Sequence, residues 1–430
     1  MNYNQLDKQL IWHPFTHLKY QKENILITKA KGVYLYTNDG RKIIDGIGSW
    51  WVNVHGHSHP YIVKRLKEQL SQMEHCIFSG FTHIPAIELA QKLSKIVPVK
   101  QPKVFYSDNG STSVEVAIKM ALQYFFNLNQ KNKAKVIAFR NAYHGDTFGG
   151  MSVAERNVFN LPFKKNLFQT YFIDIPTEKN FHKVKQQLLK HLAKQNVAAF
   201  IYEPIIQGAA GMIMYDAKFL DELIAICQQH QVICIADEVF TGFGKTGKLF
   251  ASDYLKHKPD IMCLSKGLTG GFLPLGVTVA NKRIYDAFVQ DDKTKTFFHG
   301  HSFTANPLMC TSALANIELI EKSDFLEKIR QLEKSHREFA MSIKNHPVVK
   351  DVRYKGLVLA LEIQTKDKTH YLNELSKEIE TFFIQKNILL RPLGNVLYLV
   401  PPVCITQKQL SYIYTTIKEF LVKLSTKSFS

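Results

Sequence analysis

The chain has 430 residues, 45% of them hydrophobic, which is enough for one large core and a smaller one, because single cores stop growing near ~250–300 residues. A formal net charge of +18 raises nucleic acid or an anionic membrane surface as partners, but the basic residues are mostly dispersed lysines, as in Lys183-Val184-Lys185 and Lys293-Thr294-Lys295. With no Arg-rich arm, no basic n-region before an apolar start and no run near ~18 apolar residues, the expectation is a soluble, cytoplasmic protein without nucleic-acid or membrane partners.

Near the start, Val33 to Ile44 reads as a hairpin, its turn supplied by Asn38-Asp39-Gly40. His55, His57 and His59 follow at alternate positions. Alternation places them on one side of a strand-like turn without nearby carboxylates, so no metal site is expected. From about residue 100, short β-rich runs at 103–107, 135–139, 197–202, 231–236, 261–264 and 276–280 alternate with amphipathic helical stretches. That pattern implies βαβ units and a mostly parallel sheet. Behind Asp216, a plausible N-cap, Phe219, Leu220, Leu223, Ile226 and Cys227 recur at helical spacing. Beyond about 320 the texture changes to Lys/Glu-rich helices, β-like runs at 356–363 and 395–400, and a final helix from about 406. Residues 51–319 are expected to form the large domain and 320–430 a smaller α+β domain, which residues 1–50 join because they have no core of their own. Cys76, Cys227, Cys234, Cys263, Cys310 and Cys404 are scattered without Cys-x-x-Cys spacing, as small residues in a reducing compartment.

Two strand ends carry the chemistry. Lys266 closes the run Asp260 to Ser265 and precedes Gly267, while Asp237 closes Val232 to Ala236. An amine and a carboxylate at strand ends can meet in one pocket, and pyridoxal phosphate needs that pair: the amine for a Schiff base, the carboxylate to keep the pyridine nitrogen protonated. Either residue alone reads first as an ordinary solvated strand end. The run Val104 to Ser113 passes from a strand into a helical pattern, so Gly110 and Ser111 sit where free amides and the helix dipole favour a phosphate. Arg140 to Thr147 follows the strand at 135–139. There Tyr143 can stack on an aromatic ring, with His144 and Asp146 in support.

Taken in order, Ser107-Asp108-Asn109-Gly110-Ser111, Tyr143-His144-Gly145-Asp146, Glu203 to Gly208, Asp237 to Gly244 and Ser265-Lys266-Gly267 closely resemble the class III pyridoxal-phosphate aminotransferases of fold type I, across nearly the whole chain. The resemblance implies an α/β fold with a mostly parallel sheet and a smaller α+β domain built from both termini. Within that family, Trp12 to Thr16, Ser49 to His57, Phe298 to Phe303 and Arg391-Pro392-Leu393-Gly394 resemble the branch that aminates 8-amino-7-oxononanoate in biotin synthesis.

That branch implies specific roles. Lys266 becomes the Schiff-base lysine and proton shuttle, Asp237 the partner of the pyridine nitrogen, Gly110 and Ser111 the phosphate cradle, and Tyr143 the stacking residue. Ser302, with Gly300 and His301 beside it, reaches the phosphate of a neighbouring subunit in a homodimer. Trp51 packs on the keto acid's alkyl chain, Arg391 pairs with its carboxylate through a planar fork, and Phe15 lies near the substrate amines. A buried, cation-neighboured lysine has a lowered pKa, which suits Lys266 as a base near neutrality.

Some positions depart from the branch's pattern: Phe15 for Tyr, Lys245 for Arg, Leu393 for an aromatic, and His301-Ser302 for Pro-Thr. They leave the amino donor open between S-adenosylmethionine, the expected one, and lysine. The rival enzymatic reading is a related aminotransferase of ω-amino acids or diamines, against which Trp50-Trp51 and Arg391 argue. A non-catalytic cofactor-binding regulator is disfavoured by the retention of Lys266 and Asp237.

Overall fold

A computed structural model describes residues 2–366 and 369–428 of the chain. At its centre lies a seven-stranded sheet in the order Lys103–Ser107, Gly276–Ala280, Ile261–Leu264, Ile233–Asp237, Val197–Tyr202, Lys135–Phe139, Thr170–Ile173. Its inner strands are continuous apolar runs because helices cover both faces. All six residues of Val197–Tyr202 and all five of Ile233–Asp237 are buried. Helix Gly110–Asn127 contributes Val114, Ala117, Ile118 and Ala121 to one side of this core. Helix Ala217–Gln229 covers the other with Leu220, Leu223 and Ile224. Asp216 caps the latter, accepting from the Lys218 amide at 2.9 Å.

The sheet is not parallel throughout. Gly276–Ala280 runs antiparallel to both its neighbours, Ile261–Leu264 and Lys103–Ser107. That direction follows from the short connection after Lys266, which returns the chain along the adjacent strand without a crossover helix. The edge strand Thr170–Ile173 was not anticipated; only two of its four residues are buried.

The N-terminal strands Ile27–Lys31, Tyr34–Thr37 and Lys42–Asp45 form an antiparallel meander. Gly40, at φ +86, supplies the turn before the third. Ile388–Leu389 then adds to Lys42–Asp45 in parallel, so the two ends of the chain share one sheet. Beside it, Val349–Lys355, Val358–Ile363 and Val396–Leu399 make a second antiparallel sheet. Helix Phe325–Ile343 buries Ile329, Leu332 and Phe339, and helix Gln407–Ser428 buries Ile413, Ile417 and Phe420 in the same core. Among the described residues no helix is long and apolar enough to cross a membrane.

Strand Gly276–Ala280 also shapes the edge of the sheet where the functional motifs gather. A Cβ on Gly276 would land on the Asn109 carbonyl oxygen and the Ser107 hydroxyl. We therefore expect Gly276→Ala to cost ~1–3 kcal/mol, the usual penalty for overpacking a filled interior. An unchanged urea midpoint would contradict this packing.

Candidate active site

The parallel register of two central strands brings the predicted pair together. Asp237 aligns with Cys263, and the chain passes Leu264 and Ser265 before it presents Lys266 at the same edge of the sheet. Lys266 adopts φ 47, a left-handed conformation that a non-glycine residue keeps only where its surroundings enforce it. Those surroundings come from helix Pro307–Ile320. Asn316 Nδ2 donates to the Gly267 and Leu268 carbonyls at 2.8 and 3.0 Å, and Ser312 Oγ donates to the Thr269 carbonyl at 3.0 Å. Both side chains are fully buried.

Lys266 and Asp237 line one cavity of about 670 Å³, within the range of cofactor sites. Asp237 Oδ2 lies 2.7 Å from His144 Nδ1, and its Oδ1 accepts from the Val239 amide at 3.0 Å. The carboxylate is thus oriented from both sides, as a partner for a protonated ring nitrogen must be. Burial lowers the Lys266 pKa from 10.5 to about 8, opposed by the charges of Asp237 and then Glu203. Of the two expected causes, burial acts at Lys266 and a neighbouring cation does not. The cation effect falls instead on Lys245, lowered to about 7 by its own burial and then by Lys266.

Gly110, Ser111, Gly145 and Thr147 form the far wall of the cavity. Helix Gly110–Asn127 starts behind a capping box in which Asn109 accepts from the Thr112 amide, and the amides ahead of Thr112 have no partner within the helix. A Cβ on Gly110 would meet Val239 Cγ1 at 2.6 Å, and one on Gly145, at φ +103, would collide with the Ser111 side chain. Ser111 Oγ in turn lies 2.8 Å from Thr147 Oγ1 and accepts from the Thr147 amide at 3.1 Å. Small residues, helix amides and paired hydroxyls make a cradle suited to a phosphate. Tyr143 lines the same cavity, its hydroxyl donating to Asp146 Oδ2 at 3.0 Å and its amide to Glu203 Oε1 at 3.1 Å. Burial raises Glu203 to about 7, against the opposing charge of His144. Amine, ring-nitrogen partner, phosphate cradle and stacking ring therefore fit pyridoxal phosphate.

From Tyr143 an aromatic series leads away from the cavity. Phe159 stands edge-on to Tyr143 at 6.0 Å, Phe15 to Phe159 at 6.1 Å and Trp50 to Phe15 at 5.4 Å. Tyr371 packs on Phe159 at 4.7 Å, and the Arg391 guanidinium lies 5.0 Å from the Trp50 ring centre. Trp51, by contrast, is 5% exposed and Trp50 39%. Trp51 sits under the reactive amine, its ring centre 4.5 Å from Lys266 Nζ, and its Nε1 donates to the Tyr398 hydroxyl at 3.1 Å.

Sequence reasoning gave Trp50 and Glu203 no role of their own and missed Phe159, Tyr371, Ser312 and Asn316. The doubled Trp50-Trp51 was a signal for one of the two without saying which faces outward. Gly300, His301 and Ser302 do not line their own chain's cavity; they lie between Phe298 and Phe303, which are 76% and 56% exposed. The histidine triplet also needs correction. His57 meets a carboxylate, with Nε2 2.9 Å from Asp45 Oδ2, while His55 packs on Phe325 at 5.5 Å and on His59 at 5.8 Å, so the three share no side.

The family model for aminotransferase class-III matches residues 17–421. The adenosylmethionine-8-amino-7-oxononanoate aminotransferase of Synechococcus elongatus is 46% identical over 419 residues, covering 96% of this chain and 98% of that protein. Its Staphylococcus aureus counterpart is 41% identical, with 95% and 96% covered. Among solved structures, the Methanocaldococcus jannaschii enzyme of the same name superposes with a TM-score of 0.92 at 38% identity, covering 97% of this chain and 98% of that one. An amine transaminase from an uncultivated Pseudomonas species, solved in its PLP-bound form, gives 0.89 at 29% identity over 96% and 98%.

The lowered pKa of Lys266 has a direct reading. An aldehyde offered to the cofactor-free protein should be captured at Lys266 faster as pH rises through about 8, because the free amine is the reactive form there. Borohydride trapping and peptide mapping would report it. An inflection near the ordinary 10.5 would show that the amine is not desolvated.

Proposed function

The chain belongs to the class III aminotransferases, and on that premise we propose that it transfers an amino group to 8-amino-7-oxononanoate, forming 7,8-diaminononanoate for biotin synthesis, with S-adenosylmethionine as donor. Its cofactor is pyridoxal 5'-phosphate, whose protonated ring supplies the electron sink for the transfer. The observation that carries the substrate reading is the aromatic series from Tyr143 through Phe159, Phe15 and Trp50 to the Arg391 guanidinium. A long keto acid with one terminal carboxylate needs an apolar run ending in a fork of N–H donors.

Within that reading each residue has a physical task. Gly110 and Ser111 hold the phosphate, and Tyr143 stacks on the ring. Asp237, steadied by His144, holds the ring-nitrogen proton. Lys266 Nζ would hold the cofactor, and as a free amine of lowered pKa it would take a proton from the donor carbon and return it on the other side of the transfer. The Trp51 ring beneath the amine limits water there. Donor and acceptor use one site in turn, so the kinetics are ping-pong. Aromatic faces at Trp50, Phe15 and Tyr371 suit a cationic donor, sulfonium or ammonium, through cation–π attraction.

We place the enzyme in the cytoplasm, in keeping with its six free cysteines. It acts as a homodimer in which Gly300, His301 and Ser302 complete the partner's cofactor site. The exposed Phe298 and Phe303 beside them support that placement.

The deciding experiment mixes purified holoenzyme separately with S-adenosylmethionine and with lysine and follows the long-wavelength cofactor absorbance. A response to the first alone supports the proposed donor, and a response to lysine alone reassigns it. Silence to both, with no conversion of 8-amino-7-oxononanoate, defeats the reading. In the same preparation Lys266→Ala should abolish covalent cofactor attachment while leaving the fold intact. Arg391→Ala should raise KM for the keto acid by about tenfold or more, as expected for losing hydrogen bonds to a charged group worth ~1.5–3 kcal/mol. An unchanged KM would remove Arg391 from the carboxylate subsite.

A further inference from the structure

The turn that presents both tryptophans is strained, and one buried carboxylate holds it. Gly48 has φ 59, Ser49 φ 61 with ψ −90, and Trp51 φ 65, so three of four consecutive residues lie in the left-handed half of backbone space. Asp45, fully buried at the end of strand Lys42–Asp45, closes the turn from beneath. Its Oδ1 accepts from the Ile47 amide at 3.2 Å. Its Oδ2 accepts from the Ser49 amide at 2.6 Å and the Ser49 hydroxyl at 3.3 Å, and lies 2.9 Å from His57 Nε2. His57 is itself pinned to the sheet: its amide donates to the Gly32 carbonyl at 2.7 Å, and its carbonyl accepts from the Gly32 amide at 3.0 Å.

The same anchor reaches Arg391. Asp45 pairs in parallel register with Leu389, the Gly46 amide donates to the Leu389 carbonyl at 3.1 Å, and a Cβ on Gly46 would meet Leu390 Cδ2 at 2.7 Å. Trp50 and Arg391 are thus carried by two segments locked together at Asp45. A strained turn persists only where its surroundings over-determine it.

We propose that Asp45, tethered by His57, is a positioning residue for the keto-acid subsite, holding the Gly48–Trp51 turn so that Trp50 lies against the Arg391 guanidinium. The inference rests on reading Trp50 and Arg391 as that subsite. Asp45 touches no reacting atom and acts through the turn it holds.

The test uses holoenzyme variants Asp45→Ala, His57→Gln and Trp50→Ala. In Asp45→Ala, KM for 8-amino-7-oxononanoate should rise by about tenfold while kcat falls much less, the pattern of lost substrate binding. His57→Gln should move KM the same way by a smaller factor, and it carries the test if Asp45→Ala does not fold. Asp45→Ala combined with Trp50→Ala should be no worse than Trp50→Ala alone, because both remove one interaction. Adding Ser49→Gly to Asp45→Ala should recover part of the loss, since glycine takes positive φ without strain.

A readout independent of turnover comes from tryptophan emission. With Trp12→Phe as background, Asp45→Ala should make the remaining emission from Trp50 and Trp51 more open to acrylamide quenching. Unchanged KM and unchanged quenching in the folded variants would overturn the proposal, as would strictly additive effects with Trp50→Ala. If the wild-type enzyme fails to aminate the keto acid, the substrate reading falls, and the quenching arm alone then decides whether Asp45 holds the turn.

Discussion

The alignment of Asp237 with Cys263 across two buried parallel strands decides where everything else in the site can stand. Side chains alternate along a strand, so a slip of one residue would turn Asp237 to the opposite face and separate it from the lysine that follows the neighbouring strand. Such a slip would carry the Asp237 carboxylate away from His144 and the Val239 amide into apolar packing, where a buried charge has no partner. Given that alignment, carboxylate and amine share an edge. The helix start at Gly110 and the Tyr143 turn reach the same edge because their strands, first and sixth in the sheet, run in the direction of the two central ones and end on that side.

Placing so many ionisable groups in one dry region requires compensation. Glu238, next to Asp237, is raised to about 7 by burial although it accepts from the Ala251 amide at 3.1 Å, the Ser252 amide at 2.6 Å and the Thr241 hydroxyl at 2.5 Å. Glu203 behaves alike. Opposite them stand two lysines whose pKa values fall for the same reason. Carboxyls pushed up and amines pushed down approach neutrality from both directions, which is how a buried cluster avoids the cost of isolated charge.

Much of this arrangement was legible in the amino-acid order. Apolar runs such as Val197 to Tyr202 announce buried strands, and the residues closing them, Asp237 and Lys266, stand out because charge is costly there. The reverse direction of Gly276–Ala280 was not legible, since a buried strand looks the same from either end. Val349–Lys355 escaped because its residues Lys350, Asp351, Arg353 and Lys355 hide any alternation. The meeting of His57 with Asp45 was missed for a different reason: it depends on a strained turn folding back across twelve residues, and nothing local encodes that closure. The choice between Trp50 and Trp51 failed likewise, because the unusual φ of Ser49 and Trp51 overrides the alternation by which neighbouring side chains are assigned to faces.

The cofactor's groups come from the seven-stranded sheet and its helices, whereas Trp50 and Arg391 come from the sheet shared by the two ends of the chain. On the proposed reading of Trp50 and Arg391, changes in the first fifty residues or around residues 388–400 would alter which carbon skeleton is accepted more than they alter the cofactor's surroundings. On that reading, edits to the two ends of the chain would change the acceptor while Lys266 and Asp237 keep their places in the central sheet.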